Sequence, residues 1–252
     1  MTVSALVIAR NEEKKIFQCL NSLKFANEII LVLDRSSDKT YEISKKITKK
    51  IYRGNWELEG DRRNFGIDKC NLNWILEVDA DEIINENLAK EILNITKNSK
   101  SDFHYITLIN YVKKRRYKYG WMACMAPDGK FCLFKKNNKR WMNNRVHPEY
   151  ALHGKKGEQL YHSIEHMMAD NISDLVKRFN RNTSLHAKDS VSTKKKYSKY
   201  FSKRKIFSRF CKSYLLRKGF KNGSFGIILA ILCSIYQFVS AVKAREIEKQ
   251  KL

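Results

Sequence analysis

In the first 80 residues, apolar β-branched runs alternate with amphipathic ones, and that alternation leaves few folds open to the chain. Residues 2–9 (TVSALVIA) read as a buried strand. Asn11 can cap a helix with Glu12 and Glu13 in its first turn and with Ile16, Phe17, Leu20 and Leu23 on its apolar face. Residues 28–33 (EIILVL) form a second strand, and after the polar stretch 34–40 a second helix carries Tyr41, Ile43 and Ile47. Ser36, Ser37 and Asp38 are placed to cap it. A short strand at 51–52, a helix over 60–69 and a fourth strand at 74–78 complete the run. Strand and helix in strict alternation predict an α/β fold: a Rossmann-like wound, mostly parallel sheet with crossover helices.

The fourth strand ends in the most informative nine residues, WILEVDADE (74–82). Side chains alternate along a strand, so Asp79 and Asp81 point to the same side where the chain leaves the sheet. Open α/β sheets bind ligands there, outside the carboxyl ends of their strands. Two carboxylates suit Mg²⁺ or Mn²⁺, which can bridge to phosphate oxygens of a substrate. A solvated acidic turn is the alternative. Asp34, at the end of the second strand, can accept hydrogen bonds from a ribose or a base, or serve only as a turn residue. The segment after the first strand is Ala9-Arg10-Asn11-Glu12-Glu13, without G-x-G-x-x-G, and no G-x-x-x-x-G-K occurs. Nicotinamide-binding Rossmann domains and P-loop NTPases are thereby disfavoured.

Beyond Asp81 the pattern loosens. A helix over 87–97, strands at 103–111 and 130–135, a helix over 173–186 capped by Ser173, a basic and aromatic helical stretch over 194–218, and an apolar helix over 225–242 are expected. Arg145-Val146-His147-Pro148-Glu149 sets a carboxylate beside an imidazole, as a general base and its orienting or metal-binding neighbour would require, or forms an irregular surface loop. Glu82, next to the paired acids, is the rival base. His153, His162 and His166 match no H-x-x-x-H on a clear helix, for His162 and His166 are four apart in a mixed local pattern, and they are expected as scattered core or loop residues. Cys19, Cys70, Cys124, Cys132, Cys211 and Cys233 include no C-x-x-C pair, and most sit in apolar contexts that read as reduced core residues.

Charge divides the chain sharply. Residues 1–90 hold 15 Lys+Arg against 15 Asp+Glu, 91–175 hold 15 against 8, and 176–252 hold 20 against 3. The +17 tail needs an anionic partner: a membrane surface, an acidic substrate or nucleic acid. No nucleic-acid-binding motif appears. Residues 225–242 are slightly short for a span and are interrupted by Ser234, Gln237 and Ser240. Basic flanks and interleaved aromatics fit a helix lying on an anionic leaflet, and a helical hairpin packed on the rest of the protein is the structural alternative. With no charged leader before the first strand, a cytoplasmic location is expected, peripheral on the inner membrane face.

The order VIARNEE, LDRSSDKT, DRRNFGI, WILEVDADE resembles glycosyltransferase family 2 with its GT-A fold. The segments GWMACMAPDGKFCLFKK, RVHPEY, ISDLVKRFNRNTSLHA and SYLLRKGFKNGSFGIILAILCSIY resemble the branch near bacterial lipopolysaccharide-core glucosyltransferases. The position before Asp34, often acidic in the family, is Leu33. This resemblance implies an inverting, metal-assisted transfer from a UDP-glucose-like donor to a lipid-linked or lipopolysaccharide-core acceptor. It places Asn11 and Glu12 beside the nucleotide, Asp34 at base or ribose, and Arg63 near the diphosphate. Asp79 falls at ribose or metal, Asp81 on the metal with His147 beside it, and Glu149 as the base. The division that follows is a catalytic domain over 1–170, with a donor half 1–100 and an acceptor half 101–170, and a basic helical extension over 171–252. Two rivals remain: a non-catalytic GT-A-like membrane-recruitment module, and a nucleotidyltransferase, whose glycine-rich loop is absent.

Overall fold

A computed structural model describes residues 3–113, 115–120, 127–142, 149–193 and 198–250. The elements in order are β1 (Val3–Ala9), α1 (Ile16–Ser22), β2 (Glu28–Asp34), α2 (Thr40–Ser44), β3 (Ile51–Gly54), α3 (Glu59–Lys69), β4 (Trp74–Asp79), β5 (Glu82–Ile83) and α4 (Glu86–Asn98). There follow β6 (Phe103–Val112), β7 (Arg115–Tyr117), β8 (Gly129–Lys135), β9 (Lys139–Trp141), β10 (Tyr150–Leu152), β11 (Ile164–Ala169), α5 (Ile172–Ser192), α6 (Lys203–Cys211) and α7 (Ser224–Lys249). The main sheet runs β3-β2-β1-β4-β8-β6-β11-β5, with β7 on β6, and β9 and β10 form a separate ribbon. Its β3-β2-β1-β4 portion is parallel, the wound α/β architecture the alternation predicts, and β8 then joins β4 antiparallel.

Contacts group the chain into two units, one of residues 1–109 and 129–167, the other of 110–128 and 168–252. Residues 110–128 thus group with the C-terminal helices: Tyr117 packs on Phe225, Gly120 N–H donates to the Arg217 carbonyl, and Asn222 donates to the Tyr119 carbonyl.

In the first unit the alternation along buried strands builds two cores. Val3, Ala5, Val7, Leu31, Leu33, Leu76 and Val78 face one side and meet Ile16, Leu20 and Leu23 of the first helical segment and Leu88 and Ile92 of α4. Leu6, Ile8, Ile30, Val32 and Ile75 face the other and meet Ile67 and Cys70 at the end of α3. A sheet covered on both faces explains why these strands are continuously apolar. Gly66 is required where α3 meets β1: a Cβ there would lie 2.6 Å from the Leu6 side chain. Phe17, expected on the apolar face of α1, is instead 53% exposed, because α1 is short and buries only Ile16, Cys19 and Leu20.

Helix ends also differ from expectation. Asn11 does not cap α1, which begins at Ile16; it takes a left-handed φ of 55° and turns its side chain to the β2–α2 loop. At α2, Asp38 accepts from the Thr40 backbone, whereas Ser36 and Ser37 bond to Asn11. The cap of α5 is Asn171, accepting from Asp174 at 2.9 Å, two residues ahead of the expected Ser173.

In the second unit α5 packs on α7. Leu175 and Phe179 meet Leu229, Cys233 and Tyr236, and the Tyr117 and Phe225 rings meet at a tilt with centroids 4.1 Å apart. Lys243 of α7 clamps α5 through Asn180, Thr183 and Ser184 at 2.7–3.0 Å. At 26 residues α7 is long and apolar enough to cross a membrane, yet half of its apolar window is buried inside the protein. Cys19, Cys70, Cys132 and Cys233 are buried; Cys124 lies outside the described residues.

Glu28, buried at the start of β2, accepts from Ser4, Lys50 and the backbone and side chain of Asn71. Burial alone would raise its pKa, but these donors bring it down from 4.5 to about 2. A lowered carboxylate stabilises the fold above pH 4.5, and that contribution disappears as pH falls toward 2. Glu28→Gln is expected to cost about 2–3 kcal/mol at pH 7, and urea unfolding should show the gap between variant and parent shrinking steadily below pH 4.

Candidate active site

The carboxyl end of β4 is built around acids and the cations that hold them. Glu77, the one polar residue inside β4, is fully buried; its Oε1 accepts from Arg63 at 2.7 Å, and its Oε2 from Lys139 at 2.8 Å and Trp141 Nε1 at 3.3 Å. Two residues on, Asp79 accepts from Arg63 at 3.0 Å on one oxygen and from Lys130 at 3.0 Å on the other. Lys130 also reaches Glu82 at 2.7 Å, and Glu82 accepts from the Asp79 backbone N–H at 2.9 Å. Arg63 lies 4.8 Å over the Trp141 ring and is steadied by Glu59.

These neighbours separate the acids electrostatically. Burial opposes ionisation of Asp79, but Lys130 and Arg63 overcome it and hold this carboxyl well below the ordinary range. Glu82 is pushed up to about 7, first by burial, although Lys130 pulls the other way. Lys130 is itself held protonated by Asp79 and Glu82 against its own desolvation. Glu77 stays ionised against its burial because Lys139 and Arg63 flank it.

Asp81 follows in the turn between β4 and β5. Because β5 pairs with β11 through Glu82↔His166, the imidazole Nε2 of His166 comes within 3.4 Å of Asp81 Oδ2. The Asp81 carbonyl accepts from Met167 N–H at 2.7 Å, and Lys15 Nζ donates to the Met167 carbonyl at 2.8 Å. His166, expected as a scattered histidine, therefore belongs to the acid cluster. Its signal was the alternation Ile164-His166-Met168, three buried positions on one face of a strand. Lys130 shares a strand face with buried Cys132 in the same way.

The β1 and β2 loops form a second rim. Asn11 N–H donates to Ser36 Oγ at 3.1 Å and Asn11 Oδ1 accepts from Ser37 N–H at 2.8 Å. Glu12 N–H donates to Thr40 Oγ1 at 2.8 Å, and Glu13 N–H to Asp38 at 3.0 Å. Asp34 is buried, with Arg35, Arg62 at 2.9 Å and the Trp56 N–H at 3.2 Å on its carboxylate. Glu149 is exposed, its carbonyl accepting from Met142 N–H at 2.7 Å beside the β9–β10 ribbon that carries Trp141. The structure thus brings Arg63, Asp79, Asp81 and Glu82 together and links Asn11 and Glu12 to the β2 loop. His147 lies outside the described residues.

Among the described residues no group of three or more His, Cys, Asp or Glu is arranged to hold a metal. Both Asp79 oxygens face cations, whereas Asp81 and His166 offer one carboxylate and one imidazole side by side. The Asp81 carboxylate is the hard oxygen donor that Mg²⁺ or Mn²⁺ takes alongside substrate phosphates and water, whereas the imidazole is the softer member of the pair.

The family described as Glycosyl transferase family 2 matches residues 4–154. An "uncharacterized glycosyltransferase" of Rickettsia typhi is 26% identical over 97% of this chain and 87% of its own length. The lipopolysaccharide core biosynthesis glycosyltransferase LpsC of Rhizobium meliloti is 23% identical over 96% of this chain and 92% of its own. Among solved structures, S. aureus TarS 1–349 in complex with UDP superposes with a TM-score of 0.50 at 15% identity, over 100% of this chain and 91% of that one, a likeness of fold. A wound sheet, charged acids at the end of β4 and a family match over most of the chain lead to one conclusion: this protein belongs to glycosyltransferase family 2, a transferase of GT-A fold.

Proposed function

We propose that the chain transfers a sugar, with inversion, from a UDP-glucose-like nucleotide sugar to a lipid-linked or lipopolysaccharide-core glycan at the cytoplasmic face of the inner membrane. The observation that carries this reading is the end of β4, where Arg63 and Lys130 fix Asp79 while Asp81 stands beside His166. Support for the donor comes from the UDP complex of TarS, and for the acceptor from the name of LpsC. The rivals fit less well: a recruitment module has no need of this charged cluster, and a nucleotidyltransferase would carry a glycine-rich loop where Asn11 and Glu12 stand.

In this mechanism the interlocked loops of Asn11 and Glu12 receive the nucleoside, while Asp34 holds Arg35 and Arg62. Arg63 lies toward the diphosphate end of the donor, and Asp79, fixed by Arg63 and Lys130, toward its ribose. Asp81 and His166, with His147 as a further expected neighbour, would hold Mg²⁺ or Mn²⁺, which when bound would neutralise charge on the departing diphosphate. Glu149 takes the proton of the acceptor hydroxyl; its oxygen bonds to the anomeric carbon as the bond to the diphosphate oxygen breaks on the opposite face. The exposure of Glu149 suits contact with a bulky acceptor. Glu82 is the poorer base, since its carboxylate is buried against Lys130.

Incubation with a panel of nucleotide sugars and Mn²⁺ or Mg²⁺ should release UDP rather than GDP or CMP. No nucleotide release from any donor would refute the transferase mechanism. Asp81→Asn should lower turnover by roughly 10²-fold or more with the fold intact, and excess EDTA should do the same to the parent enzyme; full activity in either case removes the metal from the mechanism. Glu149→Gln should lower kcat by roughly 10²-fold while donor binding persists, because base loss acts on the transition state. A comparable loss in Glu82→Gln with Glu149→Gln unaffected moves the base to Glu82.

A further inference from the structure

Within the second unit, residues 207–231 expose an unusual density of apolar side chains. Leu216 is 78% and Phe207 70% exposed, and Leu215, Phe220, Ile227 and Ile231 are open as well. Exposed Lys212, Lys218 and Lys221 alternate with them, and no Asp or Glu occurs between Asp189 and Glu246. Soluble surfaces seldom cluster large apolar groups in this way, and where they do the patch meets a partner.

The patch is held in shape. Leu215 and Leu216 end a π-helical turn, Lys212–Leu216, that continues α6. Just beyond it Gly120 N–H donates to the Arg217 carbonyl at 2.8 Å, and Asn222 Nδ2 donates to the Tyr119 carbonyl at 2.8 Å. Lys218 adopts a left-handed φ of 54°. At Gly226 a side chain would run into the Gly219 carbonyl, so the start of α7 and the preceding turn touch backbone to backbone. A loose segment could fold its leucines inward. This one presents them.

We propose that this corner is an anionic-lipid docking surface, in which Leu215, Leu216 and Phe220 enter the boundary between headgroups and acyl chains while Lys212, Lys218 and Lys221 meet lipid phosphates. The proposal deepens the membrane-face reading above and rests on it. Charge selects the occupant: a basic stretch without acids of its own, beside which Asp128 pairs with Arg217 at 3.7 Å, is complementary to an anionic leaflet and repels a second copy of itself. Burial argues against a span, since Leu229, Cys233 and Tyr236 of α7 form the core with Leu175 and Phe179.

Flotation of the full chain with vesicles tests this without donor or acceptor, so its outcome is independent of the sugar-transfer reading, which nucleotide release tests without vesicles. Binding should rise with phosphatidylglycerol content, fall with salt, and be weak on phosphatidylcholine alone. Leu215→Ser with Leu216→Ser should weaken partitioning about tenfold or more, and each of Lys212→Gln, Lys218→Gln and Lys221→Gln about fivefold. These side chains are exposed, so circular dichroism melting should match the parent. A Leu216→Trp variant should show blue-shifted emission and quenching by lipids brominated near the headgroup. Equal binding to neutral vesicles, no binding to anionic ones, undiminished binding of the serine variant, or an unquenched tryptophan overturns the proposal. Retention in membranes through alkaline carbonate overturns it in favour of a span, and a dimer abolished by the serine changes overturns it in favour of self-association.

Discussion

Four acids of the first unit stand within six residues of one another at the end of β4, and three of them have long cationic side chains reaching in from other elements. Arg63 comes from α3, Lys130 from β8 and Lys139 from β9. Each joins a strand or helix distant in sequence to the strand that carries the acids. A buried carboxylate without such a partner is strongly unfavourable, so the cluster forms only when α3, β4, β8 and β9 are all in place. The same ion pairs that complete the fold leave Asp79 charged, while the pairing of β5 with β11 sets Asp81 next to an imidazole. At Asp79, stability and site geometry come from one set of contacts.

This dependence also explains which parts of the molecule were legible in the sequence. The alternation of β1, β2 and β4 with their helices follows from local pattern, and so did the architecture. WILEVDADE marked the strand end because a period of two is visible in any short run. The partners were harder to see. Lys130 and Lys139 look like surface lysines in sequence, and only the antiparallel arrival of β8 and the β9–β10 ribbon buries them. His166 sits 84 residues beyond its strand partner Glu82, and no local spacing expresses that pairing. Capping errors have a different origin. Asn11 and Ser173 are chemically able caps, but Asn11 is drawn to a neighbouring loop and Asn171 lies two residues nearer the start of α5.

In the second unit an apolar helix serves as protein core. Hydropathy by itself gives α7 the profile of a membrane helix, yet α5 covers one side of it and Lys243 fastens the two together. The charge carried by this unit stays outside that core. A strongly basic exterior around an ordinary interior makes solubility and surface attraction properties of the same residues, both governed by ionic strength.

The hydrogen bonds between the β1 and β2 loops have an evolutionary consequence. Asn11 and Ser37, Glu12 and Thr40, and Glu13 and Asp38 are each joined backbone to side chain across about 25 residues of sequence. In each bond one loop gives a backbone N–H, which any residue but proline supplies, and the other gives a side chain, so the two loops are constrained unequally. Sequence drift in this rim should spare the acceptors Asn11, Asp38 and Thr40, while Ser37, Glu12 and Glu13 exchange freely for anything except proline as far as these bonds are concerned.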